Sequence, residues 1–292
     1  MTDTTLAPRA RSPLPSSLSG TGMLFVPLAL MLLLIHVGPL IWFFIKTFAS
    51  VQQGFLQQIS DVVLSVDMLQ VIWTTLWTSS LVTLLTLLLA YPVAYSLCKA
   101  GSKFTMAGIL ACIIVPYFTS VIVRTYSWMV LLGHNGLINR FLLDLGLIDE
   151  PLHLMYNQAG VLIGMVYVLL PYLVLTLYST MKSIDDNLLR AASGMGASGA
   201  YAFFTVFWPL SLPGVVSGGL IVYILALGFF ITPSLMGSSN DVMIAMLIQR
   251  EVEVDMNWGL AAVLSLVLLV MTLILYIIYC RYTNIDQMMG RK

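Results

Sequence analysis

Residues 159–198 read AGVLIGMVYVLLPYLVLTLYSTMKSIDDNLLRAASGMGAS, and two halves of this stretch decide what kind of molecule the chain makes. From Ala159 to Met181 there is no Asp, Glu, Lys, Arg or His. A helix needs roughly 20 such apolar residues to cross a hydrocarbon layer of about 30 Å, because each residue rises about 1.5 Å. Backbone polar groups find no water in that layer, so the run predicts a membrane-spanning helix. From Lys182 onward the pattern becomes polar and helical at once. Ser183 is placed to cap a short helix with Asp185 and Asp186 in its first turn, where the helix dipole favours acids. Leu188, Ala191, Ala192 and Met195 recur at the i, i+3, i+4, i+7 spacing of one face. Gly194, Gly196 and Gly199 end the element and let the chain turn back, which predicts a helix over about 185–199.

Five further runs match the first half of that pattern: Leu24–Phe48, Leu69–Leu97, Met106–Leu132, Leu210–Leu235 and Leu260–Tyr282. Pro116 and Pro233 interrupt two of them and predict kinks packed against neighbouring helices. The expected fold class is therefore an all-α membrane protein, a bundle of six transmembrane helices with a short helix in one loop. Leu24–Phe48 is too long for a cleaved signal, whose apolar core is about 7–15 residues. The expected organisation is a disordered tail over 1–21, a membrane body over 22–286 and a short tail over 287–292.

Composition agrees, since 59% of the 292 residues are apolar and 9% charged, against roughly a quarter charged in soluble domains. A formal net charge of zero gives no basic field for nucleic acid. Cys98, Cys112 and Cys280 are widely spaced, form no CxxC or Cys/His ligand pattern, and read as packing residues.

Lys and Arg favour the cytoplasmic side of short loops. With the amino terminus inside, the inner segments hold Arg9, Arg11, Lys99, Lys103, Lys182, Arg190, Arg281, Arg291 and Lys292, and the outer loops hold Arg140 and Arg250. Both termini are thus expected in the cytoplasm. Asp61, Asp67, Asp144, Asp149, Glu150, Asp241, Glu251, Glu253 and Asp255 fall outside, giving an acidic outer face. The two longer outer loops carry apolar-patterned pieces, Leu137–Leu143 and Val242–Ile248, that predict short interfacial helices.

At Arg190-Ala191-Ala192 the sequence resembles the permeases of binding-protein-dependent ABC importers. Their signature is Glu-Ala-Ala, three residues, Gly, nine residues, an aliphatic residue, one residue, Leu-Pro. Ala191, Ala192, Gly196, Val206 and Pro209 match with spacing intact, while Arg190 replaces the Glu and Trp208 the Leu. The stretches Val121–Trp128, Gly136–Asn139, Met155–Asn157, Leu170–Tyr172 and Ile231–Gly237 are similar to the spermidine/putrescine branch, which is itself similar to permeases for opines, amino acid derivatives and aminophosphonates.

The resemblance implies a bacterial inner-membrane protein of the type I importer kind, surrounded by membrane lipids. Leu188, Leu189, Arg190, Ala191, Ala192, Met195 and Gly196 would form a coupling helix that docks on an ATPase. The partners implied are a second permease subunit, two cytoplasmic ATPase subunits and a periplasmic solute-binding protein. ATP and Mg would be held by the ATPase subunits, with no cofactor or metal in this chain. The transported solute would be small and cationic, such as a polyamine.

Individual residues carry two readings each. Arg124 lies inside an apolar run, which marks a functional candidate by default. Counted from Lys103 it stands roughly 30 Å along a straight helix, near the outer interface, where snorkelling is the expected role. Tyr117, Tyr126, Trp128, Tyr167, Tyr172, Tyr223, Phe229 and Phe230 are candidates for an aromatic cage around a cation, or for interface belts. Of these, Tyr117, Tyr126, Trp128, Tyr172, Tyr223 and Phe230 join Arg124 as the substrate-pathway candidates. Glu251, Glu253 and Asp255 are candidates for docking a binding protein or attracting a cationic substrate, or form a solvated loop.

His36, in the first run, reads as a packing histidine. Thr74, Thr75, Thr78, Ser79, Ser80, Thr83 and Thr86 stripe the second run, and Gly214 with Gly218 forms a GxxxG pair; both predict close helix contacts, the pair at an interface with a second permease. No GxxxxGK[ST], HExxH or GxSxG is present, so the chain is not expected to hydrolyse ATP or act as an enzyme. A transporter working alone would need a chain of ionisable residues across its spans, and His36 and Arg124 are isolated.

Overall fold

A computed structural model describes residues 26–50 and 65–282. The expected tails, 1–21 and 287–292, lie outside them. The chain divides into two compact units after Gln52. Within the first, residues 26–50 form one helix, α1, with a π turn at Leu33–Val37 that closes with the Gly38 amide donating to the Leu33 carbonyl. His36 sits in that turn, two residues before Gly38.

The regular elements among the described residues of the second unit are all helices: α2 (Val66–Lys99), α3 (Lys103–Tyr117), α4 (Val121–Leu132), α5 (Leu137–Asp144), α6 (Gln158–Lys182), α7 (Asp186–Gly194), α8 (Gly199–Leu227), α9 (Ile231–Met236), α10 (Ile244–Glu253) and α11 (Trp258–Tyr282). Among the described residues, α2, α6, α8, α11 and part of α1 are long and apolar enough to cross a membrane. At 34 residues, α2 is about 51 Å long and outreaches the hydrocarbon core.

The core is α6 set between α2 and α8. Met165, Leu169, Leu173, Leu177 and Met181 of α6 are fully buried, against Val82, Ala90 and Ala94 of α2 and Val222 and Ala226 of α8. Lipid tails are as apolar as leucine, so close packing rather than escape from water holds these helices together. The GxxxG pair serves that packing. A Cβ on Gly214 would lie 2.7 Å from Thr180, and one on Gly218 2.7 Å from Leu173, both in α6. The pair thus joins two helices of this chain, where the sequence predicted a contact with a second subunit. The hydroxyl stripe also packs inside: Thr75, Thr78, Ser79 and Thr86 are buried, and the Thr75 and Thr86 hydroxyls donate to backbone carbonyls four residues back.

Two expected spans are corrected. The run Met106–Leu132 is not a kinked helix but two helices, α3 and the segment beginning with α4, bent by 101°. Pro116 lacks an N–H and crowds the preceding turn. The helix ends one residue later, the Thr119 amide and hydroxyl both donate to the Pro116 carbonyl, at 3.1 and 2.6 Å, and Ser120 begins the next helix with an extended backbone.

The run Leu210–Leu235 begins eleven residues earlier, at Gly199, and stops at Leu227. Its start carries a second π turn, Phe203–Phe207, just ahead of Pro209, as the first π turn precedes Pro39. Pro233 does not kink a span at all. It occupies the first turn of the short helix α9, where the missing N–H would have no helical partner anyway. Pro92, Pro171 and Pro213 also lie inside long helices, besides Pro39 and Pro209, which follow the π turns of α1 and α8.

Candidate functional site

The signature segment forms α7 and the turn after it. Asp185, not Ser183, caps α7, its carboxylate accepting from the Asn187 amide at 2.9 Å, while Ser183 closes the end of α6. Only Asp186 lies in the first turn. Both residues are good caps, and the chain uses the later one because Ser183 and Ile184 are still turning off α6 through bonds to Thr180 and Met181.

At the other end the Gly196 amide donates to the Ser193 carbonyl and the Ala197 amide to the Ala192 carbonyl, both at 3.0 Å. This is a Schellman closure, which requires a left-handed residue after the cap. Gly196 supplies it at φ +88. The glycine of the signature is thereby explained by backbone geometry.

The predicted apolar face of α7 divides. Ala192 is buried, and Leu189 packs against the core. Leu188, Arg190, Ala191 and Met195 are exposed, Met195 to 83%. Beside them opens a cavity of about 610 Å³ lined by Ala192, Met195, Gly196, Ala197, Tyr201 and Val206 among others. One ion pair ties α7 to a long helix: Lys99 Nζ, in the last turn of α2, meets Asp186 Oδ1 at 2.8 Å. That bond holds the Asp186 carboxyl below the usual aspartate range. Lys99 also stands 5.9 Å over the ring of Phe207, in the π turn of α8. The short helix is thus tethered to the end of α2, and the same lysine links that end to α8.

The pathway candidates separate into a group and outliers. Tyr117 and Tyr172 meet edge to face at 5.3 Å, and Trp128 meets Tyr167 in the same way at 5.4 Å. Arg124 and Trp128 line one cavity of about 470 Å³ with Val115, Pro116, Ser127 and Tyr167. Arg124 does not extend outward to water as the straight-helix count implies; it is 7% exposed, and its Nε and Nη1 have no hydrogen-bond partner. The 101° bend is the reason, since it turns α4 back against α6 instead of continuing outward.

Tyr126 faces away and is 52% exposed. The Tyr223 hydroxyl donates to the Leu76 carbonyl at 3.5 Å, and Phe230 lines a different cavity beside Gln249 and Glu253. Those two do not join the group.

Glu253 and Asp255 have local partners. Glu253 accepts from Gln249 at 2.6 Å and Asp255 pairs with Arg250 at 3.2 Å; Glu251 is half-buried. The predicted interfacial pieces are helical, as α5 and α10. Within the first, sequence reading passed over Asn139. It is fully buried, donates to the carbonyls of Gly133, His134 and Leu152, and accepts from the Leu152 amide at 2.9 Å. Its sequence signals are a lone amide in the apolar piece Leu137–Leu143 and its place at the end of the stretch Gly136–Asn139.

Residues 68–289 match the family model described as "Binding-protein-dependent transport system inner membrane component". The chain is 33% identical over 223 residues to the spermidine/putrescine transport system permease protein PotB of Haemophilus influenzae, covering 76% of this chain and 77% of that one. It is 29% identical to the inner membrane ABC transporter permease protein YdcU of Escherichia coli over 238 residues, 70% of this chain and 75% of the relative. In structure it resembles a chain of a bacterial alginate ABC transporter in complex with an alginate pentasaccharide-bound periplasmic protein, with a TM-score of 0.73 and 16% identity over 91% of this chain and 94% of that one.

Proposed function

The chain belongs to the family of inner membrane components of binding-protein-dependent transport systems, with the fold of a type I ABC importer permease, and from that premise we propose that it carries a small cationic solute of the polyamine class. As a permease it is the non-catalytic membrane subunit of its importer, and ATP belongs to partner subunits. Membership of the family also removes the reading of a transporter that works alone. Its partners in this proposal are a second permease subunit, two ATPase subunits on the cytoplasmic face and a periplasmic solute-binding protein, with both termini cytoplasmic.

The observation that carries the coupling part is the presentation of α7. Leu188, Arg190, Ala191 and Met195 are exposed, while Lys99 and Asp186 fix the helix to α2. A docked ATPase that moves α7 therefore pulls on α2 and α8, and rocking of these helices would open a central path to each side in turn. Arg190 in place of the signature's Glu gives the ATPase a cation to meet, so the complementary surface carries an acid there. The polyamine part is supported by the likeness to PotB and by the aromatic pairs Tyr117–Tyr172 and Trp128–Tyr167, which offer faces to an ammonium group.

The test of coupling is Ala191→Asp, at an exposed position, because a change at buried Ala192 would report on folding as well. Expected is a complex with normal amounts of this chain and a loss of solute uptake of tenfold or more. Unchanged uptake and unchanged ATPase association would refute the assignment of α7. For the solute, the binding protein is scanned by thermal shift; stabilisation by spermidine or putrescine is expected, and stabilisation only by an anionic or neutral solute would overturn the polyamine reading.

A further inference from the structure

The buried guanidinium of Arg124 has chemistry that the transport proposal leaves unused. Its depth follows from its neighbours. Trp128, one turn further along α4, packs on Tyr167, nine residues into α6, and Arg124 itself is within electrostatic reach of Tyr172. Tyr172 stands ten residues before Lys182, about 15 Å from that end of α6 at 1.5 Å per residue, and Tyr167 about 14 Å from the other. Arg124 thus lies near the middle of a membrane-spanning helix. Neither ion pair among the described residues involves it, and Nε and Nη1 are orphaned. A charge at that depth is costly unless a counter-charge or water meets it. The cavity it lines is mostly apolar, walled by Val115, Pro116, Val123, Trp128 and Leu131, and it is open on one side.

We propose that this open side is closed by the second permease subunit, which inserts a carboxylate against Arg124 to form an intramembrane ion pair across the subunit interface. The inference rests on the importer reading. Charge complementarity selects the occupant: an arginine fork takes a carboxylate bidentately, and a cationic solute passing nearby would be repelled by an unpaired guanidinium but not by a neutralised pair. The bend at Pro116–Ser120 is what brings the arginine to this depth.

The test uses the assembled complex of this chain, the second permease, the ATPases and the binding protein. Arg124→Lys, Arg124→Gln and Arg124→Glu are compared for recovery of the second permease with tagged chain. Expected is a mild loss of recovery for R124K, which keeps the charge but not the fork, a several-fold loss for R124Q and a loss of tenfold or more for R124E. Replacing one membrane-embedded Asp or Glu of the second permease by Arg should restore R124E alone. Because R124K keeps the charge, loss of recovery as severe in R124K as in R124Q would overturn the proposal by making shape rather than charge decisive. Normal recovery of R124E overturns it outright, and so does loss that no such charge swap restores. Normal recovery in R124Q with a raised KM for uptake would instead give Arg124 to an anionic group on the solute. Failure of the importer reading is distinguishable, since the wild-type chain would then recover no ATPase.

Discussion

Gly196 shows how a residue in a family signature can be reduced to backbone geometry. Its φ of +88 is open to glycine and strained for any side chain, yet a Cβ there would meet nothing within 4 Å. Gly196→Ala should therefore cost about 1 kcal/mol through conformation alone, loosening the end of α7 without disturbing the core. The expected result is a thermal midpoint for the complex that hardly changes, beside a clear fall in ATP-driven uptake.

Lys99 and Asp186 give a second prediction. Both side chains are partly exposed, and such pairs contribute about 0–1 kcal/mol to stability. Their importance lies in position, so Lys99→Asp should weaken transport more than it weakens folding, and Lys99→Asp with Asp186→Lys should recover it in the same uptake assay. The lowered pKa of Asp186 means the pair persists at neutral pH and is lost only as pH falls through that depressed value, below about pH 4. Uptake measured above about pH 5 should show no titration from this pair. The spacing of Ala191, Ala192 and Gly196 was legible in the sequence, whereas the cap was misplaced by two residues because Ser183 and Asp185 are equally competent caps.

At the level of helices, tight seams dominate. The approach of α8 to α6 depends on the absence of side chains at Gly214 and Gly218, and that of α9 on Gly164, where a Cβ would fall 2.5 Å from Thr232. Thr232 in turn shares a hydrogen bond of 3.1 Å with Thr125 of α4, joining two short helices on either side of broken runs. Gly218→Leu should overpack the α6–α8 seam by about 1–3 kcal/mol and lower the thermal midpoint in detergent; a midpoint unchanged from wild type would show the seam to be slack.

Hydropathy found every long helix but not the breaks, because a run of apolar residues reads the same whether the chain continues or turns. The information was present in Pro116-Tyr-Phe-Thr119-Ser120, where a Thr-Ser pair stands three and four residues after a proline, and in Gly228, which ends α8. That one missed turn is also why Arg124 was expected at the interface. A straight helix carries it outward, and a helix bent by 101° carries it back against α6.

For the molecule as a whole, six apolar runs and one polar helix were enough to reach the permease bundle, since a membrane leaves helices as the available solution for such runs. Tertiary packing was less legible, because apolar composition does not say which face of a helix meets which neighbour. The structure supplies that order: α6 at the centre, α2 and α8 around it, and α7 tied to the end of α2 through Lys99. On this account, force applied at α7 is transmitted through the packed core.

The most direct test places a cysteine at Leu188 or Met195, in the assembled complex with native cysteines replaced, and asks whether a short thiol cross-linker joins it to the ATPase subunit. The account predicts efficient cross-linking at both exposed positions and none from a control cysteine at Tyr126. Failure at both positions in a complex that still transports its solute would contradict the claim that α7 is where the ATPase takes hold.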